Sequence, residues 1–224
     1  NEEYLRFLDS LVDAGSEELA LRHVPRDNAT EGEVGAPLYE RFGRGEFHLR
    51  DGAGGLVWRH DTPVTMVDLA SARAYARWYA DRTRQPWRLP GELEWEKAAR
   101  GADGRAYPWG DVFDPSWAHT RESHVARPGV APVDSCPVDD SVYGVRGMAG
   151  NTLDWCETTY RPDGPRIEGD RVAPSPSSDP EAARVIRGGG WLDGSVNARV
   201  AARRSLVPDR RRDDLGIRLF RDHA

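Results

Sequence analysis

Two cysteines and two methionines in 224 residues narrow the chemistry first. Two thiols are too few for a disulfide framework, and Cys136 and Cys156 lack the short spacing of metal-ligating pairs, so reduced, partly buried thiols and a cytoplasmic location are expected. No apolar run approaches the roughly 20 residues of a membrane span, and the first residues carry neither the basic lead nor the apolar stretch of a secretory signal. Membrane insertion by this chain is therefore not expected. Also missing are a Gly-x-Ser-x-Gly elbow, a phosphate-cradling P-loop, a protein-kinase motif set and His-Glu-x-x-His. His23, His48, His60, His119, His124 and His223 include no pair at helical i, i+4 spacing, although His119 and His124 could approach each other through a loop. Positive net charge is lacking too. At −6, with arginine plentiful, the basic side chains are more easily assigned to internal carboxylates and carbonyls than to a phosphate backbone, and nucleic acid is not an expected partner.

Glycine, proline and tryptophan are abundant, with 23, 16 and 8 copies, and 38% of residues are hydrophobic. Such a chain can bury a core, but so many breakers point to much irregular backbone. Tyr4, Phe7, Leu8, Leu11 and Val12 recur at helical spacing directly after Asn1, a good N-cap, so the chain starts on a helix and a longer polypeptide is expected upstream. Ser16 introduces a short second helix. Residues 26 to 62 read as a Gly-rich stretch with a hairpin built from Glu46–Leu49 and Leu56–Trp58. Pro63 to Val67 reads as a strand end, Asp68 caps a helix with Ala70, Ala74 and Trp78 on one face, and Leu89 to Gly101 forms a compact helix with acidic residues early and basic ones late. Beyond residue 101 the strand candidates are Arg184–Arg187 and Gly216–Phe220, and residues 161 to 183 read as an exposed loop. Helices first and irregular strands after suit a single α+β domain over residues 1 to 224.

Four segments carry a resemblance: Trp87–Gly101, Tyr107–Gly110, Gly147–Trp155, and Arg187–Trp191 leading to Leu215–Arg218. Together, in this order, they resemble the formylglycine-generating-enzyme, or sulfatase-modifying-factor, family. Asp103–Arg105, Arg121–Ser123 and Asp140–Arg146 look like the version of this domain at the C-terminus of bacterial serine/threonine protein kinases. The resemblance implies a C-type-lectin-like fold: short twisted strands, two main helices and long loops. In it Trp95, Trp109, Trp155 and Trp191 would fill volume, and Arg187, Arg199, Arg203 and Arg218 would hold carbonyls or carboxylates.

Catalytic relatives hold copper with two cysteines just before and within an Arg-x-Ala-Ala-Arg segment, since soft thiolates suit Cu(I). Here that segment is Arg199–Arg203, and the matching positions hold Ser195 and Val200. A relocated site would need Cys136 and Cys156 to converge. A second branch of the family makes sulfoxides with iron held by histidines of an additional helical domain, for which no counterpart is present in this sequence. The domain is therefore expected to be non-catalytic and to need no cofactor, with calcium as the one candidate. The family's oxygen site would here use Asp154 with carbonyls of Gly150 and Thr152, while Gly147 stands where a side-chain ligand is usual.

With the chemistry gone, the surface expected to be used is the C-terminal segment. Trp191, Asp193, Ser195 and Asn197, with Arg204, Arg210 and Arg212, offer an aromatic platform, acceptors and guanidinium donors for a peptide, a protein or a small anionic ligand. The expected role is a binding module of a bacterial signalling protein. The alternatives are a variable ligand-binding protein of a diversity-generating retroelement, which randomises the same stretch, and an oxidase of either catalytic branch with a relocated metal site.

Overall fold

The computed structural model describes residues 1–27, 35–43, 45–50, 58–123, 129–169, 171–172 and 179–221. Four helices come first: α1 (Glu2–Asp13), α2 (Glu17–His23), α3 (Leu69–Thr83) and α4 (Glu92–Arg100). The strands β1 (Tyr39–Arg41), β2 (Phe47–Leu49) and β3 (Trp87–Arg88) lie among them. A 3-10 turn at Arg121–Ser123 follows, then β4 (Leu153–Thr159), β5 (Ile167–Glu168), β6 (Arg171–Val172), β7 (Arg184–Arg187), β8 (Arg203–Leu206), β9 (Leu215–Gly216) and β10 (Phe220–Arg221). This is the expected α+β order.

The central sheet runs β8-β7-β4-β9, antiparallel except for the parallel β4–β9 pair. All four β7 residues are buried, as are the first four of β4, because helices and loops cover both faces. On one side α3 lies between two apolar clusters. Leu69 and Ala72 pack with Leu153, Trp155 and Ile186 of the sheet, while Ala74, Tyr75 and Trp78 pack with Tyr4, Phe7 and Leu8 of α1. Leu69, Ala72 and Ala76 are the buried apolar residues of α3; of the Ala70–Ala74–Trp78 row, Ala74 and Trp78 pack against α1 and Ala70 is exposed. Asp68 caps the helix as expected, accepting from the Ser71 amide at 2.7 Å.

Other expectations shift where tertiary contacts override local pattern. Phe47–Leu49 pairs with Tyr39–Arg41, which gives the 26–62 stretch a hairpin, while Leu56 and Val57 of the expected partner lie outside the described residues. Pro63–Val67 forms no strand: Thr65 makes one bridge to Gly216, and Met66 turns to φ 59° so that its amide reaches the Arg212 carbonyl and its own carbonyl receives Arg26. The Gly216–Phe220 candidate divides between β9 and β10, because Arg218 between them leaves the sheet ladder to bond elsewhere. Within 161–183 the hairpin β5–β6 forms, and 173–178 lie outside the described residues.

The elements meet at Asp154. It faces Arg187 on β7 and Gly216 on β9 in the ladder, and its buried carboxylate accepts from Trp95 Nε1 of α4 at 2.8 Å and from Arg218 Nε at 2.7 Å. Arg218 also donates to the Gly147 carbonyl at 2.7 Å, which ties the 147–150 loop to the same point. Removing one member of a buried ion pair strands the other charge, at about 3 kcal/mol or more. Asp154→Asn is expected to lower unfolding stability by about 3 kcal/mol in urea denaturation; a loss below about 1 kcal/mol contradicts this role.

Candidate functional site

The segment between β7 and β9 is fixed by close backbone approach. A Cβ on Gly189 would lie 2.9 Å from Ala198 Cα, and one on Gly190 would lie 2.5 Å from an Asp214 oxygen, so only glycine lets these strands of chain touch. Gly194 starts a helical turn in which its carbonyl receives the amides of Asn197 and Ala198. The 3-10 turn docks against it: the Arg121 amide donates to the Asp193 carbonyl at 2.9 Å, and Glu122 Oε1 accepts from the Ser195 amide at 2.8 Å and the Ser195 hydroxyl at 3.1 Å. Tyr107, stacked on Trp109 with centroids 5.3 Å apart, donates its hydroxyl to the Ser195 carbonyl.

The residues read from the sequence divide into two groups. Trp191 is buried and its indole N–H donates to the Asp213 carbonyl, so it is packing and not the open platform expected. Asp193 is buried in a bidentate pair with Arg204 and also accepts from the Gly190 amide, and Arg212 is paired bidentately with Asp214. These four build the segment. Ser195 is held by Glu122; Asn197 is exposed and donates to Asp193 at 3.4 Å; Arg210 is exposed, and its guanidinium has no partner among the described residues. Arg199, expected to be structural, is exposed and equally unpaired, as is Arg121, while Arg187, Arg203 and Arg218 are all engaged. Nothing in the sequence marks Glu122 for this contact, since Arg121–Ser123 stands out there only by its resemblance to the kinase-associated version of the domain.

The calcium expectation does not fit. Trp95 and Arg218 both donate to Asp154 Oδ2, and the Gly150 carbonyl accepts from the Thr152 amide at 2.8 Å, so a guanidinium already holds the one carboxylate that a cation would need there. Among the described residues no group of three or more His, Cys, Asp or Glu could hold a metal. His119 Nε2 lies 2.6 Å from the Gly129 carbonyl, and His124 and His223 are outside the described residues. Of the positions matched to the copper cysteines, Val200 is closed into a cluster with Trp95, Met148 and Cys156, and Ser195 carries no thiol. Both cysteines are free, and burial pushes the Cys156 thiol well above its usual range. A separate open cavity of about 550 Å³ lies against Glu2, His48, Trp58 and His60. No helix among the described residues is long and apolar enough to cross a membrane.

The fold and this segment define the class. Residues 12–223 match the sulfatase-modifying factor enzyme 1-like domain, and the chain belongs to this FGE-sulfatase family. It is 34% identical over 84% of its length to a formylglycine-generating enzyme of Streptomyces coelicolor, spanning 62% of that protein. It is 34% identical over 71% of its length to the serine/threonine-protein kinase Pkn1 of Chlamydia trachomatis, of which it spans 24%. A hercynine oxygenase of Mycolicibacterium thermoresistibile is 33% identical over 72% of the chain, which covers 36% of it. The chain thus spans less than two thirds of each. The fold is shared with PvdO of Pseudomonas aeruginosa (TM-score 0.66, 21% identity, 94% of this chain and 77% of that one). It is shared also with Treponema denticola variable protein 1 (TM-score 0.60, 21% identity, 75% and 73%).

These relatives correct one expectation. Loss of two cysteines does not set the chain apart as a non-enzyme, because relatives at 34% and 33% identity are named as a formylglycine-generating enzyme and a hercynine oxygenase.

One buried acid near the hub titrates unusually. Asp139 accepts from the Met148 and Ala149 amides at 3.1 and 3.0 Å, yet burial pushes its carboxyl up to about 6, with Arg218 acting the other way. The folded protein therefore holds a proton that the unfolded chain releases near 3.8, so the stability this residue contributes is full below that pH and is lost as pH rises through about 6. A carboxyl-carbon NMR titration should place the Asp139 midpoint near 6; a midpoint at the ordinary carboxylate value of about 4 contradicts it.

Proposed function

We propose that this chain is the ligand-recognition domain of a longer FGE-sulfatase-family protein, and that a peptide or small anionic ligand is taken by the Trp191–Asp214 segment together with Arg121–Ser123. The observation that carries this is the division among the arginines. Arg204 and Arg212 are neutralised by buried carboxylates, whereas Arg121, Arg199 and Arg210 are exposed and have no partner among the described residues. In a chain of net charge −6 such guanidiniums are available for a carboxylate or phosphate, which they bind in a bidentate fork. Similarity to a kinase of which the chain spans a quarter supports attachment to a signalling protein.

The experiment is calorimetric titration with a soluble Glu-Gly repeat hexapeptide. The wild type should bind it, and the triple variant Arg121→Gln/Arg199→Gln/Arg210→Gln should bind at least about tenfold more weakly, the loss of roughly 1.4 kcal/mol. Equal binding by both, or no heat with the wild type, overturns the reading.

A catalytic reading is favoured by the names of the relatives. In its formylglycine form it predicts oxygen consumption with a cysteine-containing sulfatase peptide and Cu(I), abolished by Cys136→Ser or Cys156→Ser if those thiols hold the metal; no consumption contradicts that form.

A further inference from the structure

Arg121 and Glu122 carry opposite charges on adjacent residues, and both reach the same point. A Cβ on Gly194 would lie 2.7 Å from Glu122 Oε1 and 3.3 Å from an Arg121 terminal nitrogen. The two side chains nonetheless form no ion pair with each other or with any other described residue. Glu122 is instead fixed through Oε1 by the amide and hydroxyl of Ser195, which leaves its Oε2 without a partner among the described residues. Two unlike charges thus lie side by side, unpaired among the described residues, and both close on the face of Gly194 where any other residue would carry a Cβ. Leu192 and Val196, 40% and 67% exposed, flank Gly194 and Ser195 along the chain.

We infer that this cluster binds the zwitterionic head of a free α-amino acid with an apolar side chain, its carboxylate on Arg121 and its ammonium on Glu122 Oε2. The inference rests on the binding reading above and narrows it from an anion to a ligand of both charges. Arg121 supplies a planar two-donor edge for the carboxylate. Glu122 accepts from the ammonium without giving up Ser195, because its two oxygens serve different partners. An ion pair at an exposed position contributes little alone, so discrimination comes from satisfying both charges at once while Leu192 and Val196 cover the apolar side chain.

The test uses L-leucine, with 4-methylpentanoate lacking the ammonium and isopentylamine lacking the carboxylate, followed by amide chemical shifts on the purified chain. L-leucine should bind at least tenfold more tightly than either analogue, with shifts at residues 121–123 and 192–197. Arg121→Gln should bring L-leucine down to isopentylamine, and Glu122→Gln, which keeps an acceptor for Ser195, should bring it down to 4-methylpentanoate. Gly194→Ala, whose methyl would lie 2.7 Å from Glu122 Oε1 and push that carboxylate aside, should abolish the preference in a protein that still gives a folded spectrum. L-leucine binding no tighter than its analogues, or unaffected by both charge substitutions, overturns the inference. If the acidic peptide still binds through the arginines, the inference falls alone; if neither probe binds, the broader reading falls with it.

Discussion

The fold depends on a buried carboxylate held by one charged and one neutral donor from different parts of the chain. Asp154 sits in the middle of the sheet, between Arg187 and Gly216 in register, where an unpaired charge is not tolerated. Trp95 brings α4 to it, Arg218 brings the C-terminal chain, and the second donor edge of Arg218 brings the Gly147 carbonyl. One side chain thereby fixes where α4, β9 and the 147–150 loop stand. The same contacts explain why a cation site does not fit there: the guanidinium already supplies the positive charge and the directional bonds that a metal would offer.

Arginine does similar work across the molecule. Arg187 is fully buried, pairs with Glu96, donates to the Ala202 carbonyl at 2.6 Å and lies 5.2 Å from the Trp95 ring centre. Arg203 binds buried Glu92, and Arg211 binds the α3 cap Asp68 at 2.7 Å. Each joins elements far apart in sequence, as a loop-rich fold with short strands requires, since its ladders alone offer few hydrogen bonds. Against this background the unpaired arginines stand out. They sit where no carboxylate among the described residues answers them, and at Arg121 the neighbouring carboxylate is tied to Ser195 instead.

The helices, the β7 strand and the motif-borne packing were legible in the sequence, because capping at Asp68, amphipathic spacing in α1 and the Arg187–Gly190 glycines are local signals. The site was legible in location but not in composition. Trp191 reads as a binding aromatic until Gly190 lets Asp214 close against the backbone and the indole finds the Asp213 carbonyl. Asp193 and Arg204, eleven residues apart, become a pair only when β8 folds back beside β7. Arg199 shares its motif with Arg203, yet it stays at the surface while Val200 beside it is buried. Spacing shows that residues recur; it does not show which of two neighbours the core takes.

The C-terminal segment is thus an internally neutralised support, and the charges unpaired among the described residues are Arg121, Arg199 and Arg210. Hydrogen–deuterium exchange of the purified chain with and without the acidic peptide tests this most directly. Added protection is expected around 119–123 and within 190–214 only. Protection centred instead on the cavity at Glu2, His48 and His60, or none anywhere, would contradict it.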